Sequence, residues 1–389
     1  MRNRPYRVLI SQVATIPHYR VRFYELLEQR RPPDWTFEVV FDTRESDNPS
    51  IYVEPVDYRQ FKFSILDART TILPFGSRKL IWQHYFLRAR HCDLIITDTH
   101  LSNLTYVATH FWRLFGTRRA FWGHLQDMNV ENPSLLKRMA ETLKRGYIRT
   151  ADFFFVYTEG LRRQLVARGF PESRLVVLHN TIDTVTERAA HSAMAPQRDE
   201  FRRRFGVEHK QVLLYVGRLL PAKRLEFLLE AFKCLRESDP NYHLFVVGGG
   251  PLEKAIREAA ETWGRGAITA FGPLVGTEQI GPVYEASDLY VLPGFVGLAP
   301  LQAFCHDLPA VVFDLKTHSP EIEYLDSRNS VILPAATTAQ EFAQALPGIM
   351  EQFSDTEKRA GIFESIRHLA METMVDNYIS GVNRALGIS

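Results

Sequence analysis

The chain has 389 residues, of which 45% are hydrophobic and 24% are charged. This length is typical of two domains and this composition of a folded globular protein, which excludes disordered, collagen-like and coiled-coil architectures. No apolar run approaches the roughly 18 residues of a transmembrane helix, and the N-terminal apolar stretch lacks the cleavage site of a signal peptide. The three cysteines lie far apart, so they favour neither disulfides nor a metal site and indicate a reducing compartment.

Charge is spread unevenly along the chain. Residues 1–200 hold 29 Lys and Arg against 22 Asp and Glu, a net charge of +7, so the remainder, with 18 basic and 23 acidic residues, carries −5. A basic half of this kind predicts either contact with an anion, such as a phosphate-bearing substrate or a membrane surface, or simply a solvated basic face.

Short β-branched or aromatic runs alternate with amphipathic stretches in the first half of the chain. The predicted strands are Arg7–Val13, Thr36–Phe41, Leu94–Thr97, Ala120–Gly123, Phe153–Tyr157 and Leu175–His179, and predicted helices include Val21–Arg30, Leu101–Phe115 and Leu135–Ile148. Continuous apolar runs between polar residues are typical of strands that are buried on both faces, as in a parallel sheet. The small, polar segment Thr184–Arg198 interrupts the alternation and predicts an interdomain linker.

The alternation resumes after this segment. The predicted strands are Val212–Val216, Leu244–Val247, Ile268–Phe271, Leu289–Leu292, Ala310–Phe313 and Val331–Leu333, and the predicted helices are Leu225–Arg236, Leu252–Thr262, Gln279–Ala286, Pro300–His306 and Ala339–Phe353. Thr338 and Glu341 have capping-box spacing at the start of the last helix. Two such arrays predict two Rossmann-like, doubly wound α/β domains that face each other across a cleft, residues 1–185 with a C-terminal helix at about 371–389, and residues 186–370.

Two cations follow the first strand of the second array. Gly217 and Arg218 come directly after that strand, and Lys223 precedes the next helix. Arginine binds phosphate oxygens bidentately and lysine acts as a compact point charge, so this pair could clamp a diphosphate. Ordinary cations on a surface loop are the alternative.

Glycine-rich turns follow two further strands of the same array. Gly248, Gly249 and Gly250 could offer backbone amides to an anion or form a structural tight turn. A nicotinamide or flavin site is disfavoured, because the G-x-G-x-x-G pattern would need a glycine where Glu253 stands.

The loop after Leu289–Leu292 opens the next predicted helix. The amides of Gly297, Leu298 and Ala299 could face a phosphate at the N-terminus of that helix, and Gln302 could bond ribose hydroxyls. Alternatively, the helix only packs against the sheet.

Polar residues also follow strands of the first array. His124 comes at the carboxyl end of a predicted strand, where it could be catalytic or structural. His18 or Arg20, with Tyr19 between them, could hold an anionic group or simply begin a helix, and Asn180 closes the first domain at the edge of the expected cleft.

Several signatures are absent from the sequence. It contains no D-x-D, H-E-x-x-H, paired-cysteine, G-x-S-x-G or P-loop motif and no nucleic-acid-binding motif. We therefore expect no bound metal, no other cofactor and no nucleic-acid partner.

Taken together, these positions resemble family 4 glycosyltransferases of the GT-B fold, which are retaining enzymes that use nucleotide sugars. The similarity is strongest from Gln211 to Leu333, where the family's order appears as GR-loop-K, VVGGGPL, FGPL, YEASDLYVLP, G-x-P-L-Q-A-F and SPEIE. It is looser in the first domain, through FWGH, ADFFFVYTEG and LHNTID.

The resemblance implies roles for individual residues. Arg218 and Lys223 would hold the donor diphosphate and stabilise the departing nucleotide, His124 would contact the donor sugar, and Glu321 or Glu323 could bond hydroxyls. The implied donor-binding residues are Gly217, Gly248, Gly249, Gly250, Phe271, Leu274, Gly294, Phe295, Val296, Gly297, Leu298, Ala299, Gln302 and Glu321, and the acceptor-side residues are His18, Tyr19, Arg20 and Asn180.

The chain departs from the family's pattern in two places. Where the family commonly has two glutamates separated by seven residues, this chain has Gly294 and Gln302, which argues against a scheme that needs a carboxylate at position 294. The first loop reads ATIPHYR where the family often has glycines, which predicts a reshaped acceptor pocket.

The implied function is transfer of a sugar, of the hexosyltransferase type, from a nucleotide-diphosphate sugar to a glycan or lipid-linked glycan in cell-surface polysaccharide assembly. The resemblance implies retention of configuration and no metal. The basic amphipathic stretch Leu135–Arg149 could lie on anionic lipid at the cytoplasmic face of a membrane, which would make the protein peripheral, or could simply cover the sheet. The alternatives are a nucleotide-sugar epimerase or phosphorylase of the same fold, or a non-catalytic subunit that binds a partner or glycan.

Overall fold

The computed structural model describes residues 4–11, 16–43, 58–76, 78–124, 135–264 and 266–388. It divides into a first unit, Met1–Asn180 with Met371–Ser389, and a second unit, Thr181–Ala370. The chain thus passes from the first unit to the second between residues 180 and 181, whereas the sequence predicted this boundary after residue 185. Thr181 and Thr184 belong to the second unit because both hydroxyls donate hydrogen bonds to the Leu369 carbonyl, at 2.8 and 3.2 Å.

The described strands and helices are as follows. The strands are β1 (Tyr6–Ser11), β2 (Trp35–Phe41), β3 (Ile65–Asp67), β4 (Thr70–Phe75), β5 (Arg78–Gln83), β6 (Leu94–Thr97), β7 (Arg118–Gly123), β8 (Phe153–Val156), β9 (Leu175–Val177), β10 (Gln211–Val216), β11 (Tyr242–Val247), β12 (Ile268–Gly272), β13 (Leu289–Leu292), β14 (Ala310–Phe313) and β15 (Ser330–Leu333). The helices are α1 (His18–Arg30), α2 (Phe86–Ala89), α3 (Leu104–Ala108), α4 (Leu135–Arg149), α5 (Glu159–Ala167), α6 (Thr184–Met194), α7 (Arg198–Phe205), α8 (Leu225–Ser238), α9 (Glu253–Trp263), α10 (Thr277–Glu285), α11 (Ala299–Cys305), α12 (Ala339–Gln352), α13 (Thr356–Ile366) and α14 (Met371–Leu386). Short 3-10 helices lie at Tyr58–Gln60, Thr109–Phe115, Glu172–Arg174, Ala195–Gln197, Pro221–Lys223 and Pro320–Tyr324.

The first unit is built on a seven-stranded parallel sheet in the order β3-β2-β1-β6-β7-β8-β9, with a separate antiparallel hairpin of β4 and β5. Helix α14 packs in this unit, where the buried Tyr378 ring lies 5.3, 5.1 and 4.7 Å from the rings of Phe23, Trp122 and Phe155. Full burial of a large apolar side chain is worth roughly 1.5–3 kcal/mol, so these contacts bind α14 firmly to the sheet.

The second unit is built on a six-stranded parallel sheet in the order β12-β11-β10-β13-β14-β15. Its strands are apolar along most of their length, as expected for strands covered by helices on both faces. The direction of strand addition reverses between β10 and β13, and doubly wound sheets bind ligands at such a point, beyond the carboxyl ends of the strands. The predicted fold class of doubly wound parallel sheets is confirmed within each unit.

The structure corrects the predicted linker. Thr184–Arg198 contains the whole of α6, whose start is capped by the Asp183 carboxylate accepting from the Thr186 amide at 3.1 Å. The prediction failed because a run of small residues was interpreted as flexible, whereas alanine has the highest helix propensity. The predicted helix Leu101–Phe115 also differs, since Leu104–Ala108 is α-helical, Thr109–Phe115 is a 3-10 helix and residues 101–103 lie outside both. The capping box of Thr338 and Glu341 is confirmed.

Candidate functional site

Lys223 lies at the carboxyl edge of the second unit's sheet, in the short 3-10 helix that follows β10. Its side chain is only 8% exposed, and its Nζ donates a hydrogen bond to the Phe295 carbonyl at 2.7 Å. The same ammonium stands 3.4 Å from the centroid of the Phe295 ring, a cation–π contact. These contacts connect the loop after β10 to the loop after β13, across the point where the strand order reverses.

The charge of Lys223 is poorly compensated. Among the described residues, no carboxylate lies within ion-pair distance of its ammonium. Burial, together with the nearby positive charge of Arg218, lowers the pKa of Lys223 to about 7. An anionic ligand at this edge would supply the missing negative charge.

Arg218 lies on the same edge, directly after β10, and its side chain is exposed. The Tyr215 hydroxyl holds the local backbone by donating to the Arg218 carbonyl at 2.9 Å. Because Arg218 is close enough to lower the pKa of Lys223, the two predicted cations do lie near each other.

Position 294 has no room for a side chain. A Cβ added to Gly294 would lie 2.4 Å from the Lys223 Cα and 2.6 Å from the Ala222 carbonyl oxygen, both of them backbone atoms. The loop after β13 therefore presses directly on the turn that carries the lysine. Gly294 stands where the family commonly has a glutamate, and the backbone of this chain leaves no space for that side chain.

Gly294→Ala should displace the Lys223 turn. We expect a loss of stability of about 1–3 kcal/mol, as for overpacking in a close-packed region, together with weaker nucleotide binding. Thermal unfolding and nucleotide titration would measure the two effects. Gly297→Ala is the matched control, because its nearest side-chain neighbour, Ser319 Oγ, would be 3.9 Å from the added Cβ. Equal unfolding midpoints for the two variants would contradict the close approach.

The turn Gly248–Gly250 is explained by packing. A Cβ on Gly248 would lie 1.9 Å from the Gly217 carbonyl oxygen, and the Gly248 amide already donates to the Gly272 carbonyl at 2.8 Å. The Gly249 carbonyl likewise accepts from the Leu219 amide at 2.9 Å. Of the two alternatives that the sequence left open, these contacts favour the structural tight turn for Gly248.

Other predicted donor-binding residues contribute to packing around this edge. The Phe271 ring packs edge-on against Phe205 and Phe245, at 5.3 and 5.2 Å. Val296 is fully buried, and its amide donates to His318 Nδ1 at 2.9 Å. Leu274, Leu298 and Ala299 are partly buried against the core.

The two glutamates implied by the resemblance lie in the same short 3-10 helix, Pro320–Tyr324, but differ in exposure. Glu321 is buried, whereas Glu323 is exposed. Burial and the charge of Glu321 raise the pKa of the Tyr324 phenol. Of the two, only Glu321 occupies an enclosed position.

Gln302 contacts polar residues that the sequence analysis did not identify. Its Oε1 accepts a hydrogen bond from the Tyr284 hydroxyl at 3.3 Å. Its amide also helps to lower the pKa of Glu187 in α6, against the effect of burial, together with His306 and Thr277. Part of the hydrogen-bonding capacity of Gln302 is therefore used within the protein.

A buried ionic cluster lies behind Gln302. The Glu285 carboxylate accepts from His191 Nδ1 at 2.7 Å and from His306 Nδ1 at 2.6 Å. His191 Nε2 lies 3.3 Å from Asp307, and His306 Nε2 lies 3.7 Å from Glu187. The pKa of His191 is raised to about 9, because hydrogen bonds to Asp307 and Glu285 outweigh the opposing effect of burial.

The three residues His191, Glu285 and His306 also have the chemistry of metal ligands, with ligand atoms within 4.8 Å of one another. Distances of 2.6–2.7 Å to a single carboxylate oxygen are the lengths of charge-assisted hydrogen bonds. The geometry therefore fits protonated imidazoles that donate to Glu285. Sequence reasoning could not find this cluster, because its members are far apart along the chain.

The first unit contains a cavity of about 280 Å³ at the carboxyl ends of β1, β6, β7 and β8. It lies where this sheet, too, reverses its strand order, between β1 and β6. The residues that line it are Ser11, Pro17, Tyr19, Arg20, Ile96, Thr97, Asp98, Thr99, His100, Trp122, Gly123, His124, Lys144 and Tyr157.

Most of the predicted residues of the first unit meet at this cavity. Tyr19, Arg20 and His124 line it, and the Asn180 side chain accepts a hydrogen bond from Arg20 at 2.5 Å. His18 begins α1, with its ring 5.8 Å from that of Tyr19, and is not among the lining residues. Asp98, His100 and Lys144 were missed, although Asp98 directly follows a predicted strand and His100 comes two residues later.

His124 is held in an apolar environment. Burial lowers its pKa to about 4, and the charge of His100 acts in the same direction. Its ring packs edge-on against Tyr157 at 4.6 Å, and its Nδ1 has no hydrogen-bond partner among the described residues. A neutral imidazole at this position can donate a hydrogen bond to a ligand or accept one from it, but it carries no charge near pH 7.

Comparison with known proteins decides the family. Residues 210–352 match the family described as "Glycosyl transferases group 1", and residues 19–181 match the "Glycosyl transferase 4-like domain". The chain belongs to the group 1 glycosyltransferases. The resemblance read from the motifs is confirmed.

Two curated relatives illustrate the similarity. The chain is 24% identical over 295 residues to mannosylfructose-phosphate synthase of Agrobacterium fabrum, covering 65% of this chain and 64% of that protein. It is 29% identical over 251 residues to a D-inositol 3-phosphate glycosyltransferase of Rhodococcus opacus, covering 56% and 55%. The chain therefore matches less than two thirds of the length of these relatives.

Solved structures match over nearly the whole chain. Anabaena Alr3699/HepE, solved with UDP, superimposes with a TM-score of 0.68 at 14% identity and covers 97% of this chain and 99% of that one. WaaG, a glycosyltransferase involved in lipopolysaccharide biosynthesis, gives a TM-score of 0.61 at 16% identity and covers 96% and 98%. These neighbours have the GT-B fold, and the predicted fold is confirmed.

The described helices include none that is both long and apolar enough to cross a membrane.

Proposed function

We propose that this protein transfers a sugar from a nucleotide-diphosphate sugar to an acceptor hydroxyl. The observation that carries the proposal is the buried ammonium of Lys223, which has Arg218 beside it. Among the described residues, no carboxylate lies within ion-pair distance of the Lys223 ammonium. Membership of the group 1 glycosyltransferases supports it, as do the HepE structures solved with UDP and UDP-glucose.

In this proposal the two cations stabilise the leaving group. As the acceptor oxygen bonds to the anomeric carbon, the bond from that carbon to the phosphate oxygen breaks and leaves negative charge on the diphosphate. Lys223 is held in place by Phe295 before any ligand arrives, so its charge needs little reorganisation as the reaction proceeds. The departing phosphate oxygen takes the acceptor proton, sugar configuration is retained, and no metal takes part.

The acceptor belongs to the first unit in this proposal, in the cavity that His124 and Arg20 line. A glycan or lipid-linked glycan acceptor at the cytoplasmic face of a membrane, in cell-surface polysaccharide assembly, fits the exposed apolar side chains of the first unit. Phe111, Leu114 and Phe115 are 50–78% exposed in one short 3-10 helix, a composition that favours peripheral contact with lipid.

A thermal-shift panel of UDP-, GDP-, ADP- and dTDP-sugars tests the donor class. Ligand at about 100 times its Kd should stabilise the protein by about 2.7 kcal/mol. Adding acceptor glycans, with and without anionic vesicles, then separates the activities. Conversion of the donor alone would indicate an epimerase, and consumption that requires inorganic phosphate would indicate a phosphorylase. No stabilisation by any nucleotide would contradict the proposal and favour a non-catalytic subunit.

Nucleotide affinity should depend on pH through Lys223. Because the pKa of this lysine lies near 7 without ligand, a bound diphosphate raises that pKa, and the complex takes up a proton above pH 7. Affinity for a nucleoside diphosphate should therefore fall as pH rises above about 7, by up to about tenfold per unit. Calorimetry in buffers of different ionisation enthalpy measures the proton uptake. Lys223→Met should abolish it, and identical uptake by that variant would rule out this source.

A further inference from the structure

We infer that the cavity of the first unit binds a negatively charged group of the acceptor, a phosphate or a carboxylate, through Arg20. The inference rests on the proposed function, because it assigns the acceptor to this cavity. It specifies the chemistry of that acceptor, which the family assignment leaves open.

Arg20 is a buried cation with neutral partners. Its side chain lines the cavity, yet the residue is only 7% exposed. One terminal nitrogen donates to the Asn180 amide oxygen at 2.5 Å, and the other lies 3.4 Å from the Met374 sulfur. Among the described residues, no carboxylate lies within ion-pair distance of the guanidinium.

Aromatic rings surround the same guanidinium. Its central carbon lies 5.4, 5.8 and 5.5 Å from the ring centroids of Tyr19, Phe23 and Trp122. Cation–π contacts offset part of the hydration free energy that the guanidinium loses on burial, but they supply no counter-ion. Burial of an uncompensated charge is costly, and the planar donor fork of a guanidinium matches two oxygens of an oxyanion.

The other charges around the cavity reinforce this preference. Lys144 and His100 also line it, and the one carboxylate among its described lining residues is Asp98. Asp98 Oδ1 already accepts from the His100 amide at 2.7 Å and lies 2.8 Å from His100 Nδ1. The negative charge of Asp98 is therefore engaged beside His100.

A second guanidinium lies beneath the floor of the cavity. Arg119 of β7 is fully buried, and one of its nitrogens donates at 3.2 Å to the hydroxyl of Thr97, a lining residue. The same nitrogen donates at 3.2 Å to the Tyr106 carbonyl. Among the described residues, Arg119, too, has no side-chain ion pair with a carboxylate. Arg20 and Arg119 thus place two buried positive charges next to the cavity of the first unit.

The size of the cavity limits what can enter. At about 280 Å³ it lies near the lower end of small-molecule sites, which span roughly 300–1,000 Å³. It has room for one sugar-sized unit with its charged group, rather than for several units of a glycan. The anionic group should therefore belong to the acceptor unit that enters the cavity.

The test compares ligands that differ in one charged group. Equilibrium binding of glucose 6-phosphate, glucuronate and neutral glucose is measured by NMR titration of the full-length Lys223→Met variant, in which the proposed donor site is weakened. We expect glucose 6-phosphate or glucuronate to bind at least tenfold more tightly than glucose. The stronger of these two ligands identifies the charged group as phosphate or carboxylate.

Arg20 is then varied in the same background. Arg20→Gln should weaken binding of the anionic ligand by about 10- to 100-fold, the range of hydrogen bonds to charged groups, and leave glucose unchanged. Arg20→Lys keeps the charge and should retain part of the preference. Arg22→Gln is the matched control, because Arg22 lies on the same helix with a more exposed side chain, 3.8 Å from Glu25.

Loss of fold is separated from loss of binding by thermal unfolding and by nucleotide binding to variants that keep Lys223. Equal affinities for anionic and neutral ligands, or an undiminished preference in Arg20→Gln, would overturn the inference. Absence of nucleotide binding in the unmodified chain would instead overturn the proposed function.

Discussion

Lys223→Met should reduce sugar transfer by about 10²–10³-fold, the usual effect of removing one preorganised charge-stabilising group. The same change should leave the protein at least as stable as before. Burial lowers the folded pKa of this lysine to about 7 from 10.5, so its charged form is disfavoured in the fold. That cost is largest below pH 7 and is relieved as pH rises from about 7 towards 10.5. Methionine should therefore stabilise the protein by about 1–2 kcal/mol at pH 6.

Arg218→Ala should lower transfer to a similar degree with little change in stability, since this side chain is exposed. Lys233→Met serves as the control, because Lys233 is an exposed lysine of helix α8. Initial rates of product formation, together with unfolding midpoints at pH 6, measure both effects. Near-normal turnover in both Lys223→Met and Arg218→Ala would rule out the diphosphate clamp.

Glu285→Gln should lower the free energy of unfolding by about 3–5 kcal/mol, the range for removing one partner from a buried ion pair. Glu285 is 3% exposed and accepts hydrogen bonds from both His191 and His306. Denaturant unfolding followed by fluorescence would measure the loss. Glu278→Gln, an exposed position of the same helix, should change stability by less than about 0.5 kcal/mol.

The same cluster makes stability depend on pH. The folded pKa of His191 is raised to about 9, above the ordinary value of 6.5. Its contribution is therefore fully present below pH 6.5 and is lost progressively as pH rises through about 9. The Glu285→Gln variant should show a flatter profile. A wild-type profile that instead rises over this range and collapses on adding a chelator would indicate a bound metal ion.

The fold was accessible from the sequence because its signal is local. Strands such as Leu94–Thr97 and Leu289–Leu292 are short apolar runs between polar residues, and their predicted bounds match those observed. The alternation of strands and helices then leaves few topologies. The linker prediction failed in the segment that α6 occupies. There the small, polar composition indicated a linker, whereas the helix propensity of its alanines favoured a helix.

The candidate sites were only partly accessible. Residues that directly follow a strand, such as Arg218 and His124, could be placed at the sheet edge from spacing alone. The burial of Lys223 and Arg20, by contrast, depends on loops and rings that the sequence does not place beside them. The contact between Gly294 and Lys223 joins residues of different loops, and no local pattern encodes it.

Helix α6 has a consequence for work on isolated domains. It supplies His191 and Glu187 to the cluster around Glu285, although it precedes the first strand of the second unit's sheet. A fragment trimmed to begin at residue 210, where the family match starts, would lack His191 and Glu187. Glu285 and His306 would then lose these ion-pair partners. A fragment for separate expression should instead begin at Thr181.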